Sequence, residues 1–573
     1  MLIVGAGPAG AALAWMLAQG DLRVGLLDRL GGHTTSPERP PFRGEALMPS
    51  GLACLEAMGL HGLLPDIPSR PLRDWTMQVE GRLLFQAREP WGGPTPCTLV
   101  PQDDLLAALL DRCRQLPGLT VELGRSVSAL LIGRDGAVEG VRLDDGDHRQ
   151  ARLVIAADGR DSSLRRFAGL DLEAGPGPGL IVDWYTLPDD AKDDRAAATG
   201  TSFLSVIGAG SLFSLFGSAK GDRTHLALVR EPQDPPPASG ERLAEQLAAI
   251  VPKELAARLR RQGAALQQPV SLQVRVGQAR SWHRPGLLLL GDAAHPMSPV
   301  RAQGLNMALR DALVAGRLLA KALAERPSAE AGSQAEDQRR LTSTMAAIES
   351  RRRPEITAMQ RLQAQETRKG LLLRRQPLLR TVLVAMAPWL GERLRHHWMN
   401  SQLPLRNGLD DLSDDGGTPG ASMVRSFPAH PALAFALLVS AGLPAALAKP
   451  LPPLPDPPSA EVLRTIQLSA QVCARDNTEA TCARTRSLAD PLLDNAVVSA
   501  SCKDSVFELV QRAKVGDGSS FSRRERIEKA GTELVLFCRP KTRVVGDGSS
   551  GTGKPAATGS SPFSLRGEPQ PGP

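Results

Sequence analysis

Three acidic residues each close an apolar run and are followed by a turn: Asp28 in "LRVGLLDRL", Asp158 in "LVIAADGRDSSLRR" and Asp292 in "LLLLGDAAHPMSP". A carboxylate at the carboxyl end of a buried strand can accept hydrogen bonds from a ligand's hydroxyl groups, or it can simply cap the helix that follows. A fourth segment, "GAGPAG" from Gly5 to Gly10, fits the GxGxxG pattern and lies between two strand-like runs. In that pattern Gly5 permits the tight turn, Gly7 lets a pyrophosphate approach the backbone, Pro8 and Ala9 open a helix, and Gly10 lets the helix pack closely on the strand. The helix N-terminus then faces the phosphates. Asp28 stands near the offset at which an acidic residue accepts hydrogen bonds from a ribose.

The elements that position these residues follow from periodicity. "MLIVGAGPAGAALAWML" reads as a short strand, a glycine turn and a helix, with "LRVGLLDRL" as the next strand, the opening of a βαβ unit. Met1 leaves this first strand little room, so a start farther upstream stays open. "DWTMQVEGRLLFQA" alternates like a hairpin turning at Glu80-Gly81, and "QDDLLAALLDRCRQL" is an amphipathic helix. A meander follows, with turns at Asp135-Gly136 and Asp145-Gly146. Residues 171 to 275 read as an inserted, strand-rich domain, and strand, loop and helix return over 276–330. "GAGSLF" at Gly208 lacks the third glycine, and we read it as a bend or bulge in a strand. A helical extension fills 331–412; its cations Lys369, Arg374, Arg375, Arg380, Arg393 and Arg395 suit solvated helices packed on the nucleotide-binding domain, or else a membrane-surface element.

Composition narrows the classes. Over 573 residues, 42% are hydrophobic and 23% charged, which suits neither wholesale disorder nor a polytopic membrane protein. The net charge of +7 comes without a basic stripe interleaved with aromatics, so nucleic acid is not an expected partner. Aromatics make up 3%, with Tyr185 the single tyrosine. Of the seven cysteines, Cys54, Cys97 and Cys113 are scattered, whereas Cys473, Cys482, Cys502 and Cys538 crowd a small domain expected over 461–540. The two ends thus read as belonging to different redox compartments. Between them, 413–460 is a linker containing an uncharged run, Ala432 to Ala448, that ends like a signal-peptide cleavage site. A gene fusion, two joined reading frames and a buried Ala/Leu helix all remain open for it. A disordered tail is expected over 541–573.

In this order and spacing, the three motifs around Gly5, Asp158 and Asp292 resemble those of the flavoprotein monooxygenases of the p-hydroxybenzoate hydroxylase fold, over about residues 1–410; "GEALMPSG" also resembles squalene epoxidase-like members. The resemblance implies an α/β chain: a Rossmann-like FAD-binding domain (1–170 and 276–330) with a substrate-domain hairpin near 75–90, an inserted α+β substrate domain (171–275) and the helical extension. It implies FAD contacts from Gly5, Gly7, Pro8, Ala9, Gly10 and Asp28, and from Arg43, Glu45 and Gln102. Asp158 and Gly159 belong to a motif associated with both FAD and NAD(P)H. Gly291 and Asp292 would meet the ribityl chain, Pro299 would lie beside the isoalloxazine, and the helix opening at Gln303, Gly304 and Asn306 would point its N–H groups at the flavin N1/C2 edge, where they favour the anionic reduced flavin. The family usually has glycine at the place of Ala302, and Arg301 is bulky, so backbone placement beside the flavin is the point of departure.

By resemblance the activity is NAD(P)H-consuming, O2-dependent hydroxylation or epoxidation of a hydrophobic aromatic or isoprenoid molecule through a flavin C4a-hydroperoxide, with no side chain assigned as catalytic and no metal. His295 is expected to be structural, and Trp184 and Tyr185 to be either core or pocket. A reductase or halogenase of the same fold is the alternative, although the W-x-W-x-I pattern of halogenases is absent. The four-cysteine segment could instead be a secreted binding domain. Residues 1–412 are expected in the cytoplasm or peripheral to a membrane.

Overall fold

The computed structural model describes residues 1–20, 22–31, 45–188, 201–324, 334–409, 412, 458–494, 498, 500–516 and 521–538. Arg43, the apolar run Ala432 to Ala448 and the tail from 541 lie outside the described residues. The chain divides into two units, Met1–Ala421 and Ser422–Pro573.

The first unit is built on a six-stranded sheet in the order His283–Arg284, Leu287–Leu289, Val154–Ala156, Leu2–Val4, Val24–Asp28, Leu119–Leu123. All pairings are parallel except that of the His283–Arg284 edge. The three central strands read LIV, VIA and LLL, apolar at every position, because a parallel sheet covered on both faces has no wet side. On one face, Ile3 and Leu26 join a core with Leu13, Leu106 and Leu309 from three helices, Pro8–Ala18, Gln102–Arg114 and Gln303–Ala324. On the other, Leu2 and Val4 pack with Val141 of the meander and with Ile356 and Met359 of the 42-residue helix Gln334–Arg375.

The inserted sheet has seven strands, in the order Val270–Val274, Leu180–Pro188, Arg223–Arg230, Ser211–Gly217, Ser202–Gly208, Asp74–Val79, Arg82–Arg88. Its last two strands are the hairpin at Glu80-Gly81, where both residues have positive φ (48° and 72°) as a tight hairpin turn demands. This hairpin joins through parallel pairing of Ser202 with Asp74. "GAGSLF" is a correction to the sequence reading: Gly208 pairs with Ser211 and the chain reverses at Ala209-Gly210, so these two residues make a hairpin turn and not a bulge.

The helical extension also differs from expectation. Only part of Gln334–Arg375 packs on the nucleotide-binding sheet; its end and the following helix Pro377–Asn407 lie on the inserted sheet. Arg374 pairs with Glu231 (3.0 Å) and Asp234 (2.6 Å), Arg380 with Glu80 (2.5 Å) and Arg406 with Glu89 (2.6 Å). Arg374 and Arg380 are therefore buried clasps and not the solvated face expected of them, and Arg406 is a third such clasp.

In the second unit, helices Ala460–Asp476, Glu479–Ala489, Ala500–Arg512 and Phe521–Phe537 enclose a core containing Leu463, Leu509 and Ile527, with Cys473 bonded to Cys482 and Cys502 to Cys538. In the first unit, Cys54, Cys97 and Cys113 are buried free thiols; burial drives the Cys113 pKa up to about 12 and that of Cys97 higher still, which makes them inert.

Glu349 fastens the long helix to the sheet edge, accepting from Trp282 N at 2.9 Å and meeting His283 Nδ1 at 2.9 Å. Burial works to raise its pKa, but the His283 ring, the Trp282 N–H and Arg353 outweigh that and bring it from an ordinary 4.5 to about 2. Because the folded value is depressed, this stabilisation is present above about pH 4.5 and is lost as pH falls from there towards 2. Urea unfolding across that interval should show a loss of about 2 kcal/mol from this group once solvent screening is allowed for, and Glu349→Gln should remove that part of the pH dependence. Identical pH profiles for the two proteins would refute the assignment.

Candidate functional site

The three motifs meet at the carboxyl ends of adjacent strands. A Cβ on Gly5 would sit 2.2 Å from Ala157 O, beside Asp158, and a Cβ on Gly10 would sit 1.9 Å from Gly5 O. These two glycines are fixed by packing. Gly7 differs: an added Cβ would meet nothing within 4 Å. The Pro8–Ala18 helix that follows has no side-chain cap and no acid in its first turn, so its first N–H groups face that open side at Gly7 with the helix's positive end. Gly291, at φ 60°, would place a Cβ 3.1 Å from that of Ala9, which brings the Asp292 motif against the glycine loop.

The acidic residues separate by what their oxygens already do. Asp28 Oδ2 accepts from Ala6 N (2.7 Å) and Oδ1 from Leu30 N (2.8 Å), so it braces the glycine loop while each oxygen keeps a lone pair able to accept another hydrogen bond. Asp158 is turned onto its own helix: it accepts from Ser162 Oγ (2.5 Å), Ser163 N (2.7 Å) and Leu164 N (3.1 Å), the capped-turn arrangement, leaving the backbone at Gly159 (φ 85°, open around its missing Cβ) as the accessible part of that motif. Asp292 is partly exposed and faces Arg160 at 3.7 Å. Gln102 opens a helix that packs on Pro8–Ala18, with Cys113 Sγ donating to Ala11 O at 3.6 Å. Glu45 points away from the glycine loop. Its carboxylate accepts from Ala219 N (3.1 Å) and meets His225 Nε2 (3.2 Å) on the inserted sheet.

The loop after Asp292 is stapled from outside. Gln360 donates to Pro296 O (3.3 Å) and Gln363 to Ser298 O (2.8 Å) and Val300 O (2.6 Å), both from the long helix. Gln303 donates to Arg301 O (2.9 Å) and Leu405 O (2.8 Å); Asn306 donates to Ala302 O (2.7 Å) and Ala46 O (3.1 Å) and accepts from Met48 N (2.8 Å). The Nε2 of Gln303 and the whole Asn306 amide are thus spent on positioning backbone, and what this helix start offers a ligand is its N–H groups, the unpartnered Gln303 Oε1 and the open side of Gly304. His295 is buried against Asp311 (2.5 Å), the structural role expected for it. Gln360 and Gln363 escaped the sequence reading. Their signal was present as a stripe Arg352, Glu355, Gln360, Gln363, Thr367 along one face of a helix.

Arg301 and Ala302 both adopt left-handed backbone, at φ 60° and 51°, where glycine would be unstrained. The turn is held because the Arg301 guanidinium lies over Trp398 (5.0 Å) and Trp75 (5.6 Å) and reaches Glu366 at 3.4 Å. Beyond it the inserted sheet presents an aromatic face: Trp75 packs on Phe203 (4.8 Å), Phe203 stacks on Phe216 (5.1 Å), and Trp184 meets Phe216 edge-on (6.3 Å). Tyr185 points the opposite way into the core beneath the sheet. So Trp184 belongs to the face turned toward the loop, and Tyr185 to the core.

These residues fit FAD: an open glycine at a helix N-terminus for the pyrophosphate, the Asp28 carboxylate for the ribose, and a rigid loop and second helix N-terminus for a flat, electron-accepting ring. Among the described residues, no group of three or more His, Cys, Asp or Glu is arranged to hold a metal ion.

Comparison with known proteins agrees. A family model described as FAD binding domain matches residues 1–350. The 6-methylpretetramide 4-monooxygenase of Streptomyces rimosus is 32% identical over 383 residues, which are 64% of this chain and 84% of that protein. The ubiquinone hydroxylase UbiL of Rhodospirillum rubrum is 32% identical over 56% of this chain and 72% of its own length. Among solved structures, p-nitrophenol 4-monooxygenase PnpA from Pseudomonas putida superposes with a TM-score of 0.55 at 20% identity, over 72% of this chain and 98% of that one.

Two substitutions separate packing from ligand contact. Gly7→Ala meets no atom of the protein, so unfolding without cofactor should change by under about 0.5 kcal/mol, while FAD binding, followed by flavin fluorescence quenching, should weaken at least about tenfold. Equal FAD affinity in the variant would remove Gly7 from the site. Ala302→Gly should release roughly 1–2 kcal/mol of left-handed strain, offset by about 0.5–1 kcal/mol of glycine's unfolded freedom. A higher urea midpoint is therefore expected, and a lower one would mean the turn is not strained.

Proposed function

The chain belongs to the FAD binding domain family of flavoprotein monooxygenases, and from that premise we propose that residues 1–412 are an NAD(P)H-consuming monooxygenase that inserts one oxygen atom of O2 into a hydrophobic, planar aromatic substrate. The observation that carries the substrate class is the aromatic face of Trp75, Phe203, Phe216 and Trp184 opposite the stapled loop. Stacked rings suit a flat polycyclic or phenolic molecule better than a flexible isoprenoid chain. Arg301 supports an oxygen-bearing ring, because its Nε is buried without a hydrogen-bond partner at the edge of this face. That the relative from Streptomyces rimosus is named for a 6-methylpretetramide substrate is in keeping with this reading.

When bound, FAD supplies the electron transfer from NAD(P)H to O2 that no side chain can supply. The chain does the rest. Asp28 and the open helix end at Gly7 would hold the nucleotide portion. The helix beginning at Gln303 turns its positive end toward the loop and lowers the cost of negative charge placed there. Four amide side chains keep the loop rigid without adding charge, so the field at that point comes from the helix and Arg301. The apolar face excludes water from the reacting centre.

The test is isotopic. Holoprotein is incubated with NADPH or NADH, a panel of polycyclic phenols and isoprenoids, and labelled O2. One labelled oxygen in an aromatic product, with none taken from labelled water, is the expected result. Reduced product without incorporated oxygen would transfer the chain to the reductases of this fold. An epoxidised isoprenoid with aromatics untouched would overturn the substrate class.

A further inference from the structure

Helix Pro377–Asn407 buries one face on the inserted sheet, where Trp398 packs against Trp75, Phe85 and Trp91. Its opposite face is bare. Leu378 is 80% exposed, Val382 57%, Met386 38% and Trp389 73%, and the preceding helix adds Leu372 at 52%. These five are most of the exposed large hydrophobic residues described in the first unit, although they come from only 18 residues of chain. Their spacing, i, i+4, i+8 and i+11 within one helix, makes a continuous stripe about 16 Å long. From Pro377 to Gly391 the single charged side chain is Arg380, which is buried and paired with Glu80.

Cations stand at both ends of the stripe. Arg368 shares the face of Leu372 at i−4, and Arg393 continues the line of Trp389 at i+4; both are exposed. Between Arg368 and His397 there are seven Lys or Arg and one acid, Glu392. Part of this excess is matched by acids of the inserted domain, through Arg374, Arg375 and Arg380. The remainder flanks the apolar stripe.

We propose that this face docks on an anionic lipid surface, with Leu378, Val382, Met386 and Trp389 seated among the acyl chains and Arg368 and Arg393 on the headgroups. An apolar stripe bearing a tryptophan and bounded by cations is what an interfacial helix requires. A second copy fits less well. Because cations bound both ends, either parallel or antiparallel pairing of two such stripes brings like charges together. The helix lies on the surface and does not span it: no helix among the described residues is long and apolar enough to cross a membrane. Docking here would put the lipid beside the helix whose buried side closes the aromatic face, a route for a substrate sparingly soluble in water.

The full-length holoprotein is sedimented with vesicles of phosphatidylcholine alone and of phosphatidylcholine with phosphatidylglycerol. Binding to the anionic vesicles, weakened by salt, is expected. It should fall at least about tenfold in Val382→Glu/Trp389→Glu and several-fold in Arg368→Gln/Arg393→Gln. All four sites are exposed, so flavin content and thermal unfolding should match wild type; if the Glu variant fails to fold, the Gln variant carries the test. No binding to anionic vesicles overturns the proposal. So does binding that survives both variants, which would place the contact elsewhere in the chain. A dimer that the Glu variant dissociates, seen by sedimentation velocity without vesicle binding, would assign the stripe to a second copy.

Discussion

The carboxylate of Asp311 has no exposed surface, and it meets Gly291 N at 3.2 Å, His295 Nε2 at 2.5 Å and Arg352 Nε at 2.7 Å. An ion in the interior costs several kcal/mol unless it is fully paired. Burial opposes the charge on Asp311, but His295 and Arg352 outweigh it and hold its pKa below the ordinary carboxylate range. Through Arg352 the network passes to Glu355, which also binds Arg310 (2.8 Å) and the Leu409 N–H (2.9 Å). One connected set of charges thus ties the Asp292 loop, the helix starting at Gln303, the long helix and the end of the helical extension. The extension is part of the nucleotide site's frame and not an appendage to it.

This frame explains why the loop from Pro296 to Ala302 can be held in an unfavourable shape. Its carbonyls are taken by neutral amides, Gln360, Gln363, Gln303 and Asn306. A lysine or arginine could bind the same carbonyls more strongly. With FAD bound as proposed, it would also add a full charge beside a ring whose electronics the protein must set. Amides fix geometry and leave the field to the helix end and the Arg301 guanidinium. Apart from Arg301, charge is kept one layer back, around Asp311, where it is internally compensated.

What was legible in the sequence was local. LIV, VIA and LLL announce buried parallel strands, GAGPAG announces its own turn, and the Asp positions follow from strand ends. Their division of labour was not legible. Spacing puts Asp28 and Asp158 at equivalent strand ends, yet only the structure shows that Asp158 is spent on Ser162, Ser163 and Leu164. The clasps were invisible for a different reason: Arg374 finds Glu231 across 143 residues and Arg352 finds Asp311 across 41, and no local pattern encodes such pairings. Arg374 and Arg380 were therefore misread as part of a solvated face. The departure at Arg301-Ala302, by contrast, was visible as missing glycine, and it marks the turn whose backbone is strained.

The two faces of the inserted sheet test whether its aromatic side is mere packing. Beneath the sheet, Leu187, Val206, Leu215, Leu226 and Leu228 build an ordinary core on two amphipathic helices, with Tyr185 and Phe213 as its aromatics. On the other side, in a chain with 3% aromatics, four of the seven tryptophans gather with Phe203 and Phe216, together with a buried His225–Glu45 pair and the Arg301 guanidinium. A buried guanidinium with an unpartnered Nε, on two consecutive left-handed residues, would cost stability that packing alone gives no reason to bear. Strain and incomplete pairing of this kind persist where the surroundings enforce them, and they gather where a ligand is handled. Side by side in one sheet, the economical face is the core and the expensive face is the one turned toward the loop.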